Sequence, residues 1–325
     1  MADHLLSVRN LRVEFAGRRG NLVAVDDVSF DIEEGEVLGV VGESGAGKSL
    51  TGASVIGLLD PPGRVAAGRI LLDDRRIDDL PREEMRRVRG RQIGAIFQDP
   101  LTTLNPVLTI GHQLVETIET HADLTPTKAR ERALSLLKRV GIPAAENRIS
   151  AYPHELSGGM RQRAVIALAI CADPRLIIAD EPTTALDVSV QAQIIDLLKC
   201  LCHDQGTAIM LITHDIGVIA ETANRVAVMY AGRIVEIGPV AQVLKAPKHP
   251  YTAGLMGSIP PLHRRVPRLL QIDGVMPRLT EIPAGCAFNP RCKLHIPRCL
   301  EVRPELVATG NSATACWLPA MGKMQ

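Results

Sequence analysis

The chain has 325 residues, with 37 Lys and Arg against 36 Asp and Glu, which gives a formal net charge of +1. This length is enough for a sizeable core and a second module, and the balanced charge excludes nucleic-acid binding through a large overall positive field. Apolar residues make up 46% of the chain and aromatic residues only 2%, so we expect aliphatic cores and little base stacking.

The sequence predicts neither a secretory signal nor a membrane span. The longest uncharged aliphatic stretch, 164–172, is far shorter than the ~18–20 residues that cross a bilayer. The first residues lack a basic region followed by an apolar run. We therefore expect a cytosolic chain whose seven cysteines stay reduced, so that a group of cysteines indicates metal binding rather than disulfides.

The predicted elements alternate between strands and helices along most of the chain. Predicted strands cover 6–15, 23–32, 37–41, 69–72, 93–97, 176–179, 208–213, 225–230 and 233–237. Predicted helices cover 49–59, 81–89, 110–140 with a new start at Thr125-Pro126, 159–171 and 190–203. This alternation indicates an α/β fold with a largely parallel sheet covered by helices.

Two regions depart from the alternation. The stretch of about 99–165 is mostly helical and predicts a helical insert. Beyond residue 250, prolines and cysteines become frequent and no helical period persists. We therefore predict two domains, 1–250 and a small Cys-rich C-terminal module, 251–325.

A glycine-rich sequence follows the strand predicted at 37–41 and precedes the helix predicted from residue 49. It consists of Gly42, Glu43, Ser44, Gly45, Ala46, Gly47, Lys48 and Ser49. In this context backbone N–H groups can converge on phosphate oxygens, Lys48 adds a positive charge, and the Ser49 hydroxyl can bind Mg²⁺. The alternative is a simple glycine-rich turn. The pattern predicts a nucleotide site.

Further polar residues lie where predicted strands end or helices begin. Asp180 and Glu181 follow a buried strand, which suits a Mg²⁺ ligand and a base that polarises the attacking water. A predicted helix begins at Ser157, Gly158 and Gly159, whose N–H groups could form a second phosphate-binding site. The alternative is that Ser157 is a simple N-cap. Gln98 and His214 each follow a predicted strand, where a lone Gln or His is more often structural.

Together with Ala185-Leu186-Asp187, these motifs resemble the ATPase subunits of ABC transporters over about residues 5–245. The resemblance implies a P-loop ATPase with a helical subdomain, ATP and Mg²⁺ as cofactors, and hydrolysis in a head-to-tail pair. Each ATP would lie between one phosphate loop and the partner's signature segment, which includes Ser157, Gly158, Gly159 and Gln162. The implied roles are adenine stacking by Phe15, Mg²⁺ binding by Ser49, Gln98 and Asp180, general-base catalysis by Glu181, γ-phosphate contact by His214, and communication across the dimer by Asp187.

The C-terminal module narrows the resemblance to importers of oligopeptides and dipeptides. The segments that carry it are His249-Pro250-Tyr251-Thr252, Ser258-Ile259-Pro260, the run from Gly285 to Cys292, and 97–106. The resemblance implies a second, homologous ATPase subunit, two integral permease subunits and an extracytoplasmic peptide-binding protein, with this chain peripheral at the cytoplasmic face of the inner membrane. Importers of nickel, glutathione or opines share the pattern and stay open as alternatives.

Four cysteines are grouped in the C-terminal module with the spacing C-x5-C-x6-C-x16-C, namely Cys286, Cys292, Cys299 and Cys316. Four thiolates suffice for a structural zinc or an iron–sulfur cluster. The family resemblance favours a 4Fe-4S cluster, with Zn²⁺ or buried free thiols as alternatives. Cys171, Cys200 and Cys202 lie on predicted helices, where we expect them to pack as small apolar residues.

Two other functions remain open from the sequence. A soluble ABC-type ATPase acting on DNA or ribosomes would use the cysteines as a zinc module, but the near-neutral charge and scarce aromatic residues disfavour nucleic-acid binding. A nucleotide-binding subunit without activity is disfavoured because both Glu181 and His214 are present.

Overall fold

The structure is a computed structural model that describes residues 4–17, 20–184, 186–258 and 271–319. Ala185 and Ile259-Pro260, which belong to the motifs above, lie outside the described residues. The chain forms two compact units. The first consists of Met1–Leu6, Ile32–Val37 and Leu72–Ile212, and the second of Ser7–Asp31, Leu38–Leu71 and Thr213–Gln325.

The strands of the described residues range from two to twelve residues in length. They are β1 (His4–Phe15), β2 (Leu22–Glu33), β3 (Val37–Val41), β4 (Gly63–Leu72), β5 (Arg75–Arg76), β6 (Ile93–Ile96), β7 (Leu176–Asp180), β8 (Ala208–Ile212), β9 (Arg225–Tyr230), β10 (Arg233–Pro239), β11 (Val307–Thr309) and β12 (Ser312–Thr314).

Strand pairing is parallel where helices connect the strands. In the first unit, β7 pairs in parallel with both β6 and β8. In the second unit, β3 pairs in parallel with β9, and β9, β10, β12 and β11 continue as an antiparallel series. The second unit also contains the order β2-β1-β4. Strands β3 and β8 are buried along their whole length, as expected for central parallel strands.

The helices follow the start and stop signals of the sequence closely. They are α1 (Lys48–Val55), α2 (Arg82–Val88), α3 (Pro100–Thr103), α4 (Ile110–His121), α5 (Pro126–Arg139), α6 (Ala145–Arg148), α7 (Gly158–Ile170), α8 (Val188–Gln205), α9 (Ile216–Thr222), α10 (Val240–Lys245), α11 (Pro250–Gly257) and α12 (Arg298–Glu301), with 3-10 turns at Pro153–Glu155 and Asn289–Arg291.

The helical insert is present in the first unit, where α4, α5 and α7 pack against one another. Helix α5 begins after Thr125 with Pro126 in its first turn, and the chain turns at Gly141 with φ +75°, as the sequence signals predicted. Helix α4 begins at the N-cap Thr109, whose side chain accepts the His112 N–H at 3.3 Å. Local signals therefore placed the ends of these helices.

Several elements differ from the sequence predictions, among them helices α9 and α10, which were not predicted. Helix α1 ends at Val55 rather than near residue 59, because Gly57 adopts φ +62° and stops the helix before the prolines. Strand β4 begins at Gly63, six residues earlier than predicted, since its glycines and alanines obscure the alternation. In the C-terminal module, α11 continues helical structure past residue 250, and β11 and β12 extend the sheet of the second unit through β10.

Candidate functional site

The phosphate loop, residues 42–49, lies between β3 and α1 in the second unit. Lys48 Nζ donates to the main-chain carbonyl oxygens of Gly42 at 2.8 Å and Glu43 at 3.1 Å. Gly42 has φ +153°, and an added Cβ would lie 2.2 Å from the carbonyl oxygen of Met229. Only glycine therefore fits at position 42. The side chain of Lys48 folds back over the loop.

Helix α1 begins directly after Gly47, which has φ +98° and provides no side-chain cap. No side chain at the N-cap position therefore accepts a hydrogen bond from the first turn of α1. A helix N-terminus of this kind is suited to binding an anion. Within the loop, Ser44, Gly45 and Ser49 are exposed and Glu43 is half-buried, whereas Gly42, Ala46, Gly47 and Lys48 are buried.

Phe15 and His214 also belong to the second unit. Phe15 ends β1 and is half-buried, and its ring lies so close to Gly63 that a Cβ there would approach it to 2.8 Å. His214 is exposed and follows β8 by two residues, after Thr213, whose N–H donates to the carbonyl oxygen of Val40 at 3.2 Å. The resemblance predicted both positions for nucleotide contact.

In the first unit, the ends of β6 and β7 bring Gln98 and Glu181 together. Gln98 Nε2 donates to Glu181 Oε2 at 3.1 Å, and the Thr184 hydroxyl donates to the same oxygen at 2.8 Å. Glu181 has φ +47°, a left-handed conformation that costs energy for a residue with a side chain. Its N–H donates to the carbonyl oxygen of Ile212 in β8 at 2.8 Å, which holds this turn in place.

Asp180 is the last residue of β7 and lies opposite Ile212 of β8. It is half-buried, like Glu181 next to it. Two carboxylates therefore follow one buried parallel strand at its C-terminal edge, where α/β proteins bind ligands. The predicted Mg²⁺ ligand and the predicted base occupy adjacent positions with different backbone conformations.

The signature segment begins α7. The Ser157 hydroxyl accepts the Met160 N–H at 3.3 Å, so Ser157 caps this helix. Ser157 and Gly158 are exposed and Gly159 is half-buried. Gln162 is only 2% exposed, and its Nε2 has no hydrogen-bond partner among the described residues. The exposed start of α7, rather than Gln162, is the accessible part of this segment.

Asp187 is the N-cap of α8. Its carboxylate accepts the Val190 N–H at 2.9 Å and the Ser189 hydroxyl at 2.7 Å. These two hydrogen bonds, that of the Val190 N–H first, lower the pKa of Asp187 below its ordinary value. The side chain is exposed, so the local role of Asp187 is to cap the helix.

Cys286, Cys292, Cys299 and Cys316 all line one small cavity, together with His249 and Phe288. All four are free thiols. Burial raises the pKa of Cys286 and of Cys316 to about 11. Across the described residues, no three His, Cys, Asp or Glu side chains converge closely enough to hold a metal ion. The structure thus gathers the four thiols without forming a closed metal site.

Sequence reasoning missed the residues that contact the site residues from elsewhere. Thr184 contacts Glu181, and nothing in its local sequence marks it beyond its position three residues further on. Arg291 lies in the motif from Gly285 to Cys292, where the sequence assigned it no role, yet its Nη1 donates to Glu43 Oε2 in the phosphate loop at 2.9 Å. Tyr251 belongs to a recognised motif, but only the structure shows that its hydroxyl accepts the Glu43 N–H at 2.9 Å.

Comparison with known families and structures defines the class of protein. A family model described as ABC transporter matches residues 25–184. A solved dimeric ATP-binding cassette, MJ0796, in a post-hydrolysis state with ADP and Pi is 28% identical, with a TM-score of 0.66, and covers 72% of this chain and 98% of its own. The fold is therefore that of an ABC ATPase cassette.

A second family model, oligopeptide/dipeptide transporter C-terminal region, matches residues 235–299. The dipeptide transport ATP-binding protein DppD of Haemophilus influenzae is 45% identical over 315 residues, which cover 97% of this chain and 96% of the relative. DppD of Bacillus subtilis is 48% identical over 318 residues, which cover 97% and 95%. The chain belongs to the ATP-binding subunits of oligopeptide/dipeptide ABC transporters, whose ATPase couples ATP hydrolysis to transport.

Proposed function

We propose that this chain powers the import of dipeptides or oligopeptides through a membrane permease. The observation that carries this proposal is the likeness to dipeptide transport ATP-binding proteins over 97% of the chain, including the C-terminal region. Importers of nickel, glutathione or opines are the alternatives within the family. An ATPase that acts on nucleic acid is disfavoured by the formal charge of +1.

The proposed ATP site uses the residues predicted from the sequence. Residues 42–49 hold the phosphates, with Lys48 as the cation and the N-terminus of α1 directed at the anion. Phe15 stacks on the adenine and His214 contacts the γ-phosphate. Mg²⁺, when bound, offsets the charge of the phosphates, and its ligands are Ser49, Gln98 and Asp180.

Glu181 is the proposed general base. Gln98 and Thr184 both donate to Glu181 Oε2 and so hold the carboxylate, on which we place the proton of the attacking water. The strained backbone and the hydrogen bond from its N–H to Ile212 fix the direction of the side chain. The chain therefore contributes the Glu181 carboxylate, held in one orientation, to hydrolysis.

The proposed working unit is a pair of ATPases in which each ATP also contacts Ser157, Gly158, Gly159 and Gln162 of the other subunit, with Asp187 communicating between the two. The solved relative MJ0796 is described as dimeric, which supports this arrangement. The proposed partners are a homologous ATPase subunit, two permease subunits and an extracytoplasmic peptide-binding protein, and no nucleic acid.

Within the described part of the chain, no helix has the length and apolar character needed to span a membrane. We place the chain at the cytoplasmic face of the inner membrane as a peripheral subunit.

We further propose that Cys286, Cys292, Cys299 and Cys316 hold a metal centre, a 4Fe-4S cluster in preference to Zn²⁺. The support is the donor set, four thiols on one cavity, with the cations Arg291, Lys293 and Arg298 in the same segment. Metal binding requires deprotonated thiols, whereas burial raises the pKa of Cys286, Cys292 and Cys316, so these side chains must rearrange around the metal.

Anaerobic purification with metal and sulfide analysis tests the metal centre. We expect about four iron atoms and four sulfides per chain. Cys299→Ser removes one ligand and should lower the iron content, whereas Cys200→Ser, an exposed thiol outside the group, serves as the control. One zinc per chain without iron would show that the centre is structural zinc, and neither metal would contradict the proposal.

Reconstitution with candidate permease subunits in liposomes tests the transport function. We expect hydrolysis of ATP that is stimulated when a loaded peptide-binding protein is added, together with uptake of labelled peptide. A Lys48→Ala variant should lose both activities, because the phosphate loop lacks its cation. Stimulation by a nickel, glutathione or opine system, but by no peptide system, would contradict the peptide assignment and leave the ATPase intact.

A further inference from the structure

Residues 251–325 contact the phosphate loop at several points, one of which is an ion pair with a buried arginine. Arg291 Nη1 donates to Glu43 Oε2 at 2.9 Å, and the arginine side chain is only 7% exposed. By comparison, the side chain of Arg303 in the same module is 34% exposed where it pairs with Asp26. An arginine this deeply buried must be paired, because an uncompensated charge at such a depth is costly.

Every arm of the Arg291 guanidinium has a partner. Nε donates to the carbonyl oxygen of Asp273 at 2.9 Å, and Nη1 also lies 3.4 Å from the hydroxyl of Tyr230. The guanidinium carbon lies 5.8 Å from the ring centre of Tyr230 and 5.9 Å from that of Phe288. These contacts fix the Arg291 guanidinium in one orientation, with Glu43 as its carboxylate partner.

Glu43 is also held through its backbone. The backbone N–H of Glu43 donates to the hydroxyl of Tyr251 at 2.9 Å, and Tyr251 is fully buried in α11. Next to it, an added Cβ on Gly45 would come within 3.0 Å of the Met276 side chain. Both the side chain and the backbone of Glu43 are therefore bound by residues of the C-terminal module.

The position of Arg291 depends in turn on the cysteine segment. Arg291 ends the 3-10 turn Asn289–Arg291 and immediately precedes Cys292. Asn289 Nδ2 donates to the carbonyl oxygens of Cys286 at 2.8 Å and Cys299 at 3.3 Å, and the Cys286 N–H donates to Cys299 at 2.8 Å. The backbone of the cysteine segment therefore places the guanidinium against the loop.

We propose that Arg291 is a positioning residue for ATP binding: through Glu43 it holds the phosphate loop in its binding conformation, so that the C-terminal module sets the affinity for ATP. This inference rests on the assignment of residues 42–49 to the phosphates. A glycine-rich loop has many alternative conformations, and a contact that holds the binding conformation lowers the cost of ordering on binding. Its loss should weaken ATP binding more than it slows the chemical step.

The first test compares two arginine variants of the full chain. Arg291→Gln should raise the dissociation constant for ATP about tenfold by titration calorimetry, a change of about 1.4 kcal/mol. In the assembled transporter KM for ATP should rise by the same factor while kcat stays within about twofold. Arg303→Gln removes an ion pair of the same module that does not contact the loop, and it should leave the affinity unchanged. An unchanged affinity in Arg291→Gln, or an equal loss in Arg303→Gln, would overturn the proposal.

A second test approaches the contact from the loop and does not depend on the folding of the arginine variant. Glu43→Gln should also weaken ATP binding, and the double variant Glu43→Gln/Arg291→Gln should bind no more weakly than the weaker single variant, because the two residues act through one contact. Losses that add would contradict the proposal. Lys48→Ala separates the two hypotheses: if it binds ATP normally, the assignment of the phosphate loop fails, whereas a loss in Lys48→Ala alone rejects only the role of Arg291.

Discussion

Glu181 combines a left-handed backbone with a carboxylate oxygen that accepts hydrogen bonds from both Gln98 and Thr184. A non-glycine residue keeps such a conformation only when its surroundings hold it, here through the Glu181 N–H bonded to Ile212. The cost is difficult to explain by stability, because a glycine would adopt the same turn more readily. We therefore infer that the turn at Glu181 serves to position its carboxylate side chain.

A Glu181→Gln variant tests this role. The amide keeps the size of the side chain but cannot accept a proton, so ATP hydrolysis by the assembled transporter should fall at least about 100-fold, while ATP binding is retained. Glu146→Gln is the control, since Glu146 is an exposed carboxylate paired with Lys138. Hydrolysis near the parental rate in Glu181→Gln would show that another group is the base.

At the scale of secondary-structure elements, the start of α7 has two possible uses for Ser157. As an N-cap it stabilises the helix, and Ser157→Ala should lower the free energy of unfolding by about 1 kcal/mol. Ser157→Asp keeps a good cap but adds a negative charge where a phosphate is expected. We expect this variant to keep its thermal midpoint and to lose ATP hydrolysis. Parental hydrolysis by Ser157→Asp would mean that Ser157 is only a cap.

Strand β10 holds the start of α11 through Glu236, which is fully buried. Its two carboxylate oxygens accept the backbone N–H groups of Lys248 at 2.8 Å and His249 at 3.0 Å. Burial raises the pKa of Glu236 above its ordinary value despite these hydrogen bonds. The folded chain therefore holds this proton more tightly than the unfolded chain, and ionisation of Glu236 reduces stability as the pH rises.

The expected consequence is a pH-dependent difference between the parent and Glu236→Gln. The unfolded chain loses the proton near pH 4.5, so the parent loses stability relative to the variant from that pH upward until the folded-state pKa is passed. Denaturant unfolding between pH 4 and pH 8 measures this difference. A difference that is independent of pH would show that Glu236 is ionised equally in both states.

At the scale of the whole molecule, the net charge of +1 bears on membrane attachment. A chain with so little net charge has little overall attraction to anionic lipid, since each basic residue near such a surface contributes only about 1 kcal/mol. Attachment should therefore depend on protein partners. We expect the chain to sediment with vesicles that contain the permease subunits and not with anionic lipid vesicles alone; equal sedimentation with both would contradict this.

Much of the fold was predictable because its signals are local. The starts of α4, α5, α7 and α8 follow capping residues, and the buried strands β3, β7 and β8 are continuous aliphatic runs. Strand β4 and the C-terminal strands β11 and β12 were not predicted correctly. The sequence of β4 contains glycines and alanines, and β11 and β12 have three residues each, so these segments become strands because a neighbouring strand pairs with them. The domain boundary at residue 250 and the roles of the site residues stay predictions.

The sequence by itself determined the class of the protein and its nucleotide motifs, because the phosphate loop, the Asp180-Glu181 pair and the start of α7 are contiguous stretches whose chemistry depends on neighbouring residues. Only the tertiary structure decided which distant residues act on them. Gln98 and Glu181 are 83 positions apart, and Glu43 and Arg291 are 248 apart. Such contacts arise because parallel pairing and packing bring separate segments together, and no periodicity or spacing along the chain encodes the partner.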